Sequence, residues 1–129
     1  GNEFAKLLAK QNIIVEFSDP DYVVFMFTPS HKEADIQYLT DYLIKIPRKQ
    51  AINISLPQFS YPTASMSIRE AMLSPFETLP IDKCIGKVLA KASVGCPPAV
   101  PILVCGEVID EKAVECFKYY GILSCHVIK

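Results

Sequence analysis

Three carboxylates stand beside loops, where an acid can meet a ligand instead of only solvating a helix: Glu70, Glu77 and Glu107. Glu107 closes the stretch GCPPAVPILVCGE, residues 95–107, in which Pro97, Pro98 and Pro101 fix three φ angles and remove three backbone donors. Such a segment enters as an extended, rigid connection. Ile102, Leu103, Val104 and Cys105 then predict a short buried strand, stopped by Gly106 and Glu107. Glu107 is therefore the first candidate for a ligand-facing carboxylate. Glu70 is the second, with a competing role in a capping box begun by Ser67, and Glu77 reads as solvated.

Other reactive types are poorly supplied. Ser30-His31-Lys32 has the composition of a Schiff-base lysine cluster, but it follows a proline at a helix start, where turn and cap chemistry already account for it. The two histidines lie in separate halves of the chain, and no GxGxxG, Walker A, GxSxG or HExxH pattern is present. Five cysteines, Cys84, Cys96, Cys105, Cys116 and Cys125, recur with no CxxC pair. That spacing suits neither zinc nor a redox dithiol, and an odd count argues against a closed disulfide framework. They read as reduced thiols filling core space, with Cys96 in the proline loop the one candidate for a reactive thiol.

The elements that must position these groups follow from periodicity and punctuation. Phe4, Leu7 and Leu8 recur at helical spacing up to a stop at Asn12. Residues 13–17 and 22–27 read as a hairpin around a turn at 18–21, and Ser30 with Glu33 as a capping box for a helix burying Ile36, Leu39, Tyr42, Leu43 and Ile46 before Pro47. Residues 48–66 lose periodicity and read as a crossover. Ser67 starts another helix, residues 76–83 a short capped turn ended near Gly86, residues 88–93 a strand into the proline loop, Asp110 or its neighbour a helix with Ala113, Val114, Phe117 and Tyr120 on its apolar side, and residues 122–128 a last strand after Gly121. The expected class is α+β, with two small lobes, each a small mixed or antiparallel sheet packed with helices: residues 1–47 as helix, hairpin and helix, 48–66 as linker, 67–129 as the second domain.

Composition sets the outer bounds. With 129 residues, half of them hydrophobic, the chain can bury one core or two small lobes. Thirteen basic against fourteen acidic residues give a formal charge of −1 without a Lys/Arg block, which argues against a nucleic-acid footprint. No apolar run approaches the roughly 20 residues of a membrane helix, so a soluble, cytoplasmic protein is expected. Gly1 reads as a cloning remnant and no Met opens the chain, so a piece of a longer protein is expected.

The run SIREAMLSPFETLPIDKCIGKVLAKASVGCPPAVPILVCGEVIDEKAVECFKYYGI resembles the C-terminal domain of the bacterial ornithine/lysine/arginine decarboxylases, which carry an REA helix, then a YPPGIP-x3-PGE signature, then a helix. The first half, after NIIVEFSD, is similar to the small domain that precedes it in those fold-type I enzymes. Pro97, Pro98, Pro101, Gly106 and Glu107 keep the signature, whereas Cys96 replaces its tyrosine, Ala99 its glycine and Cys105 its second-motif proline.

This resemblance implies the C-terminal portion of a pyridoxal-phosphate-dependent decarboxylase of arginine, lysine or ornithine, with a place in polyamine metabolism. The cofactor stabilises the carbanion left when CO₂ departs. The family's Schiff-base lysine belongs to a Ser-x-His-Lys motif of the large domain. Ser30-His31-Lys32 lacks the intervening residue and falls in the wrong domain, so no catalytic residue, no bound cofactor and no activity are expected of this chain alone. The implied partners are its own large domain and a second subunit of a homo-oligomer. A buried cationic substrate end needs a carboxylate, which makes Glu107 and, more weakly, Glu70 the substrate-side candidates at the active-site entrance. The rival reading is a non-catalytic interaction or regulatory domain derived from that family.

Overall fold

The computed structural model describes residues 1–51, 53–59, 61–92 and 100–129. Cys96, Pro97, Pro98 and Ala99 lie outside the described residues. Two compact units divide the chain at Gly1–Ser55 and Leu56–Lys129, so the 48–66 stretch straddles their boundary.

In the first unit, helix α1 (Asn2–Ala9) buries Leu8. Its exit is set by Asn12, whose φ of 57° lets the N–H groups of Asn12 and Ile13 reach back to the carbonyls of Ala9 and Leu8 at 3.0 and 3.1 Å. Asparagine tolerates that left-handed turn where most residues do not. The hairpin is shorter than expected: β1 (Phe17–Ser18) pairs antiparallel with β2 (Val23–Val24). Asp19 builds the turn by accepting from the N–H groups of Asp21 and Tyr22 at 2.8 and 2.6 Å. Ile13 to Val15 have strand composition but lie in no strand, because β propensity expresses itself only against a partner.

Helix α2 (Glu33–Lys45) is capped at Lys32, not Ser30, and by Asp35, not Glu33: the Asp35 carboxylate accepts from the Lys32 N–H at 2.8 Å. The Ser30 hydroxyl is spent on Thr28 Oγ1 at 2.7 Å, while His31 Nδ1 accepts from the Thr28 N–H at 3.0 Å. That local turn moves the helix start two residues on. Within this unit no residue of α2 is buried, so its expected apolar face is at most half-covered.

The second unit runs α3 (Ile68–Leu73), β3 (Phe76–Pro80), a 3₁₀ turn (Ile81–Lys83), β4 (Leu89–Lys91), α4 (Glu111–Tyr119) and β5 (Ser124–Ile128). Its sheet is antiparallel throughout, in the order β3-β5-β4. The capped turn expected over 76–83 is instead β3 followed by the 3₁₀ turn. Glu77 and Leu79 are half-buried while Phe76, Thr78 and Pro80 are exposed. With a Glu on the inner side and a Phe on the outer, the period-two signal is masked. Glu77 is thus a strand residue opposite Val127, not a freely solvated one.

The 102–105 run is not a strand either. Leu103 is buried there, but the backbone bends and then turns at Cys105 and Gly106. Leu103 joins Ile81, Leu89, Ile109, Phe117 and Val127 in one apolar cluster between sheet and α4. Helix α4 is capped by Asp110, whose carboxylate accepts from the Ala113 N–H at 2.7 Å. It ends where Gly121, at φ 74°, and Ile122 send their N–H groups back to Lys118 and Phe117, a Schellman arrangement that leaves Ile122 packed on the core. Cys116 joins Ala113, Val114 and Phe117 on the buried side, and Tyr120 remains 37% exposed. A salt bridge from Lys118 to Asp82 ties the helix to the 3₁₀ turn.

The class is therefore α+β, two small units each with a small antiparallel sheet and helices. No described helix is long and apolar enough to cross a membrane. Phe117 is 1% exposed, so Phe117→Ala should cost about 4 kcal/mol, read as a lowered urea midpoint.

Candidate functional site

Of the residues nominated for the signature loop, Gly106 and Glu107 stand in a backbone knot. The Gly106 N–H donates to Leu89 O at 2.8 Å, and its carbonyl accepts from Ser65 N–H at 2.8 Å and Met66 N–H at 3.3 Å. The neighbours continue the pattern: Leu89 N–H to Glu107 O at 2.9 Å, Val108 N–H to Thr63 O at 2.9 Å, and Ile109 N–H to Lys87 O at 2.9 Å. Residues 106–109 thus lie along the outer side of β4 and its approach, with residues 63–66 along their other side.

Only glycine fits this point. Gly106 has φ 92°, and a Cβ there would drive into the Met66 carbonyl oxygen, which is backbone and cannot swing away. Glu107 completes the turn: its Oε2 accepts from the Val104 N–H at 2.7 Å, and its own N–H reaches Val104 O at 3.3 Å. The half-buried carboxylate therefore works first as a cap on the turn that the 102–105 run makes. Pro101 is half-buried just ahead of that turn.

Glu70 stands at the far end of the same construction. Met66 bonds to Gly106, and the next residue, Ser67, is the N-cap of α3. Ser67 donates from its N–H at 2.9 Å and from its hydroxyl at 2.7 Å to Glu70 Oε2, and accepts from the Glu70 N–H at 3.2 Å. The bonds from Ser67, side chain first and backbone second, hold the Glu70 carboxyl below its usual pKa. The capping box expected from the sequence is present. The fold thus links the two nominated carboxylates through residues 65–67.

Lys32 is exposed at the start of α2, with its N–H committed to Asp35. Among the described residues no group of three His, Cys, Asp or Glu side chains stands together as a metal site. The sequence reading missed two things. One is the part played by Thr63 to Met66, which look like featureless linker because backbone groups alone do the work. The other is a row on the outer sheet face, where Lys91 Nζ sits 4.1 Å from the Phe76 ring centroid, Phe76 meets His126 edge-on, and Thr78 Oγ1 lies 2.9 Å from His126 Nδ1. Its sequence signal, the alternation of β3, is masked by Phe76 on the outer side and Glu77 on the inner. An open depression on α3 is lined by Ile68, Arg69, Met72 and Leu73.

This architecture recurs in solved structures of lysine decarboxylases. The constitutive enzyme of Escherichia coli superposes with a TM-score of 0.67 at 17% identity, over 98% of this chain and 28% of that one. The Francisella novicida enzyme gives 0.67 at 15% identity, over 99% and 28%. Those likenesses show a shared fold. The profile of the family "Orn/Lys/Arg decarboxylase, C-terminal domain" matches residues 49–126, and the chain belongs to that family. Arginine decarboxylase of Bacillus subtilis (strain 168) is 28% identical over 124 residues, covering 89% of this chain and 25% of the relative. Arginine decarboxylase of Halalkalibacterium halodurans is 32% identical over 66 residues, covering 51% of this chain and 13% of the relative. The chain spans about a quarter of the B. subtilis relative.

Two outcomes test the site. Gly106→Ala should destabilise the second unit by about 3 kcal/mol, from the left-handed φ and the backbone overlap together, read by urea unfolding. Because the Glu70 pKa is lowered in the folded chain, its contribution is fully present above the unfolded-state pKa and is lost as pH falls through the folded one. Glu70→Gln should therefore lower the melting temperature at neutral pH, and the gap to the parent should close as the medium is acidified below pH about 4.

Proposed function

We propose that this chain is the C-terminal portion of a pyridoxal-phosphate-dependent decarboxylase acting on arginine, lysine or ornithine, and that the cofactor is held by a large domain outside these residues. The observation that carries the reading is the family match over 49–126, joined to the B. subtilis arginine decarboxylase alignment that runs across both units. The cofactor, when bound, supplies the electron sink for loss of CO₂. Lys32 does not suit a Schiff-base site. The lysine that follows a histidine, Lys32, stands exposed at a helix start.

The work assigned to this chain is to shape and close the active-site entrance. Glu107 and, secondarily, Glu70 face it. A carboxylate has two oxygens. In each residue Oε2 is the one given to a backbone N–H of the fold, and the other is the natural acceptor for a substrate ammonium or guanidinium. Exposed apolar residues support covering by the large domain and by a second subunit: Met26, Phe27 and Ile44 in the first unit, Ile68, Met72 and Leu73 on α3. The setting is a cytoplasmic homo-oligomer.

A second reading, a non-catalytic interaction or regulatory domain, is favoured by the losses at Cys96, Ala99 and Cys105. The test uses the complete enzyme carrying Glu107→Gln, which keeps an oxygen to accept from Val104. The specificity constant for the basic amino acid should fall by about tenfold or more, with the melting temperature nearly unchanged. An unchanged specificity constant makes Glu107 a turn anchor only. In parallel, pyridoxal phosphate and borohydride added to this chain should label no particular lysine, and stoichiometric labelling of Lys32 would overturn the assignment.

A further inference from the structure

Two thiols that the decarboxylase reading leaves unused lie together in the core of the second unit. Cys84 is 0% and Cys125 5% exposed, and both belong to the same apolar cluster. Cys84 Sγ lies 3.3 Å from Pro80 O and 3.6 Å from Leu79 O. Leu79 is the cross-strand partner of Cys125 in the β3–β5 ladder. The Cys84 thiol is therefore set against the strand position that faces Cys125, and each thiol bears on the other's titration. The remaining described cysteines stand elsewhere: Cys116 Sγ is directed at Gln58 O, and Cys105 is half-buried in the Gly106 turn.

We propose that Cys84 and Cys125 are a latent disulfide site, closed by an oxidant of the peroxide class. The thiolate of one cysteine attacks an oxygen of hydrogen peroxide and breaks the O–O bond. The leaving hydroxide takes the thiol proton as water, and the sulfur, oxidised by two electrons, becomes a sulfenic acid. The sulfur of the second cysteine attacks it, the S–S bond forms, and the hydroxyl departs with the second thiol proton as a second water. Two thiols and one peroxide thus give one disulfide and two waters.

Burial explains why the site stays latent. It pushes the Cys84 thiol up and, with Cys84 alongside, pushes Cys125 up to about 11. The attacking thiolate is scarce at neutral pH. Once formed, the bond would tie the turn after β3 to the last strand and enclose the proline loop, the Gly106 turn and α4 in one covalent loop. Such closure restricts the unfolded chain and stabilises the folded one.

The experiment exposes the folded chain to excess hydrogen peroxide at pH 7 and pH 9, alkylates the remaining thiols in denaturant, and maps disulfides by mass spectrometry of an unreduced digest. A Cys84–Cys125 peptide pair should be the main product, form at least about tenfold faster at pH 9, disappear on reduction, and raise the melting temperature by several degrees. Cys84→Ser and Cys125→Ala should each abolish it, and oxidation in urea should scramble the pairing. Recovery of Cys84 and Cys125 as free thiols while other cysteines oxidise would overturn the proposal. Equal yields of the pair in folded and unfolded chain, or either residue linked mainly to another cysteine, would do the same.

Discussion

The second unit depends on a single peptide neighbourhood, the backbone of Gly106. Its N–H and C=O are claimed in different directions, by β4 on one side and by residues 65 and 66 on the other. A chain reversing at that point needs a left-handed residue with no side chain, because a backbone oxygen occupies the space a Cβ would take. From this point the rest is laid out. Residues 107–109 continue along Leu89 and the approach to β4, Asp110 caps α4, and on the other side Ser67 starts α3 directly after Met66. Of the replaced signature positions, Cys105 is the described one, and it sits in a turn whose shape is fixed by its neighbour.

Both nominated carboxylates turn out to be spent partly on the fold, and this is physically sensible. A carboxylate at the end of a loop finds unpaired N–H groups before it finds a ligand, and a charge-assisted bond to them is strong. Glu107 holds Val104 and Glu70 holds Ser67. A group anchored in this way keeps its orientation, which is what a recognition role at an entrance would require.

Legibility followed the range of the interactions. Features decided within four residues were readable: the Ser67–Glu70 capping box, the helix start at or beside Asp110, the exits at Asn12 and Gly121. Features decided by distant partners were not. Phe76 to Pro80 become a strand because β5 lies nearly fifty residues away along the chain, as the Thr78–His126 separation of 48 shows. The apolar 102–105 run looked like a strand and became a turn, since Gly106 and Glu107 govern it more than its own propensity does. Even a local feature misled when two neighbours competed, as when Thr28 claimed Ser30 and left the cap to Asp35. The family resemblance survived these errors because it records residue order, not conformation.

The strip formed by residues 106–109 and 63–66 has one more consequence. A short sheet exposes a border on each side, and an uncovered border is a template for a strand from another molecule. At Leu89, where β4 begins, that border is already occupied by the chain's own backbone. At β3 the strand is five residues long, Pro75 precedes it and Pro80 is its last residue, so a foreign strand would meet a missing donor at either end. The turn at Gly106 therefore leaves a foreign strand less open edge to pair with.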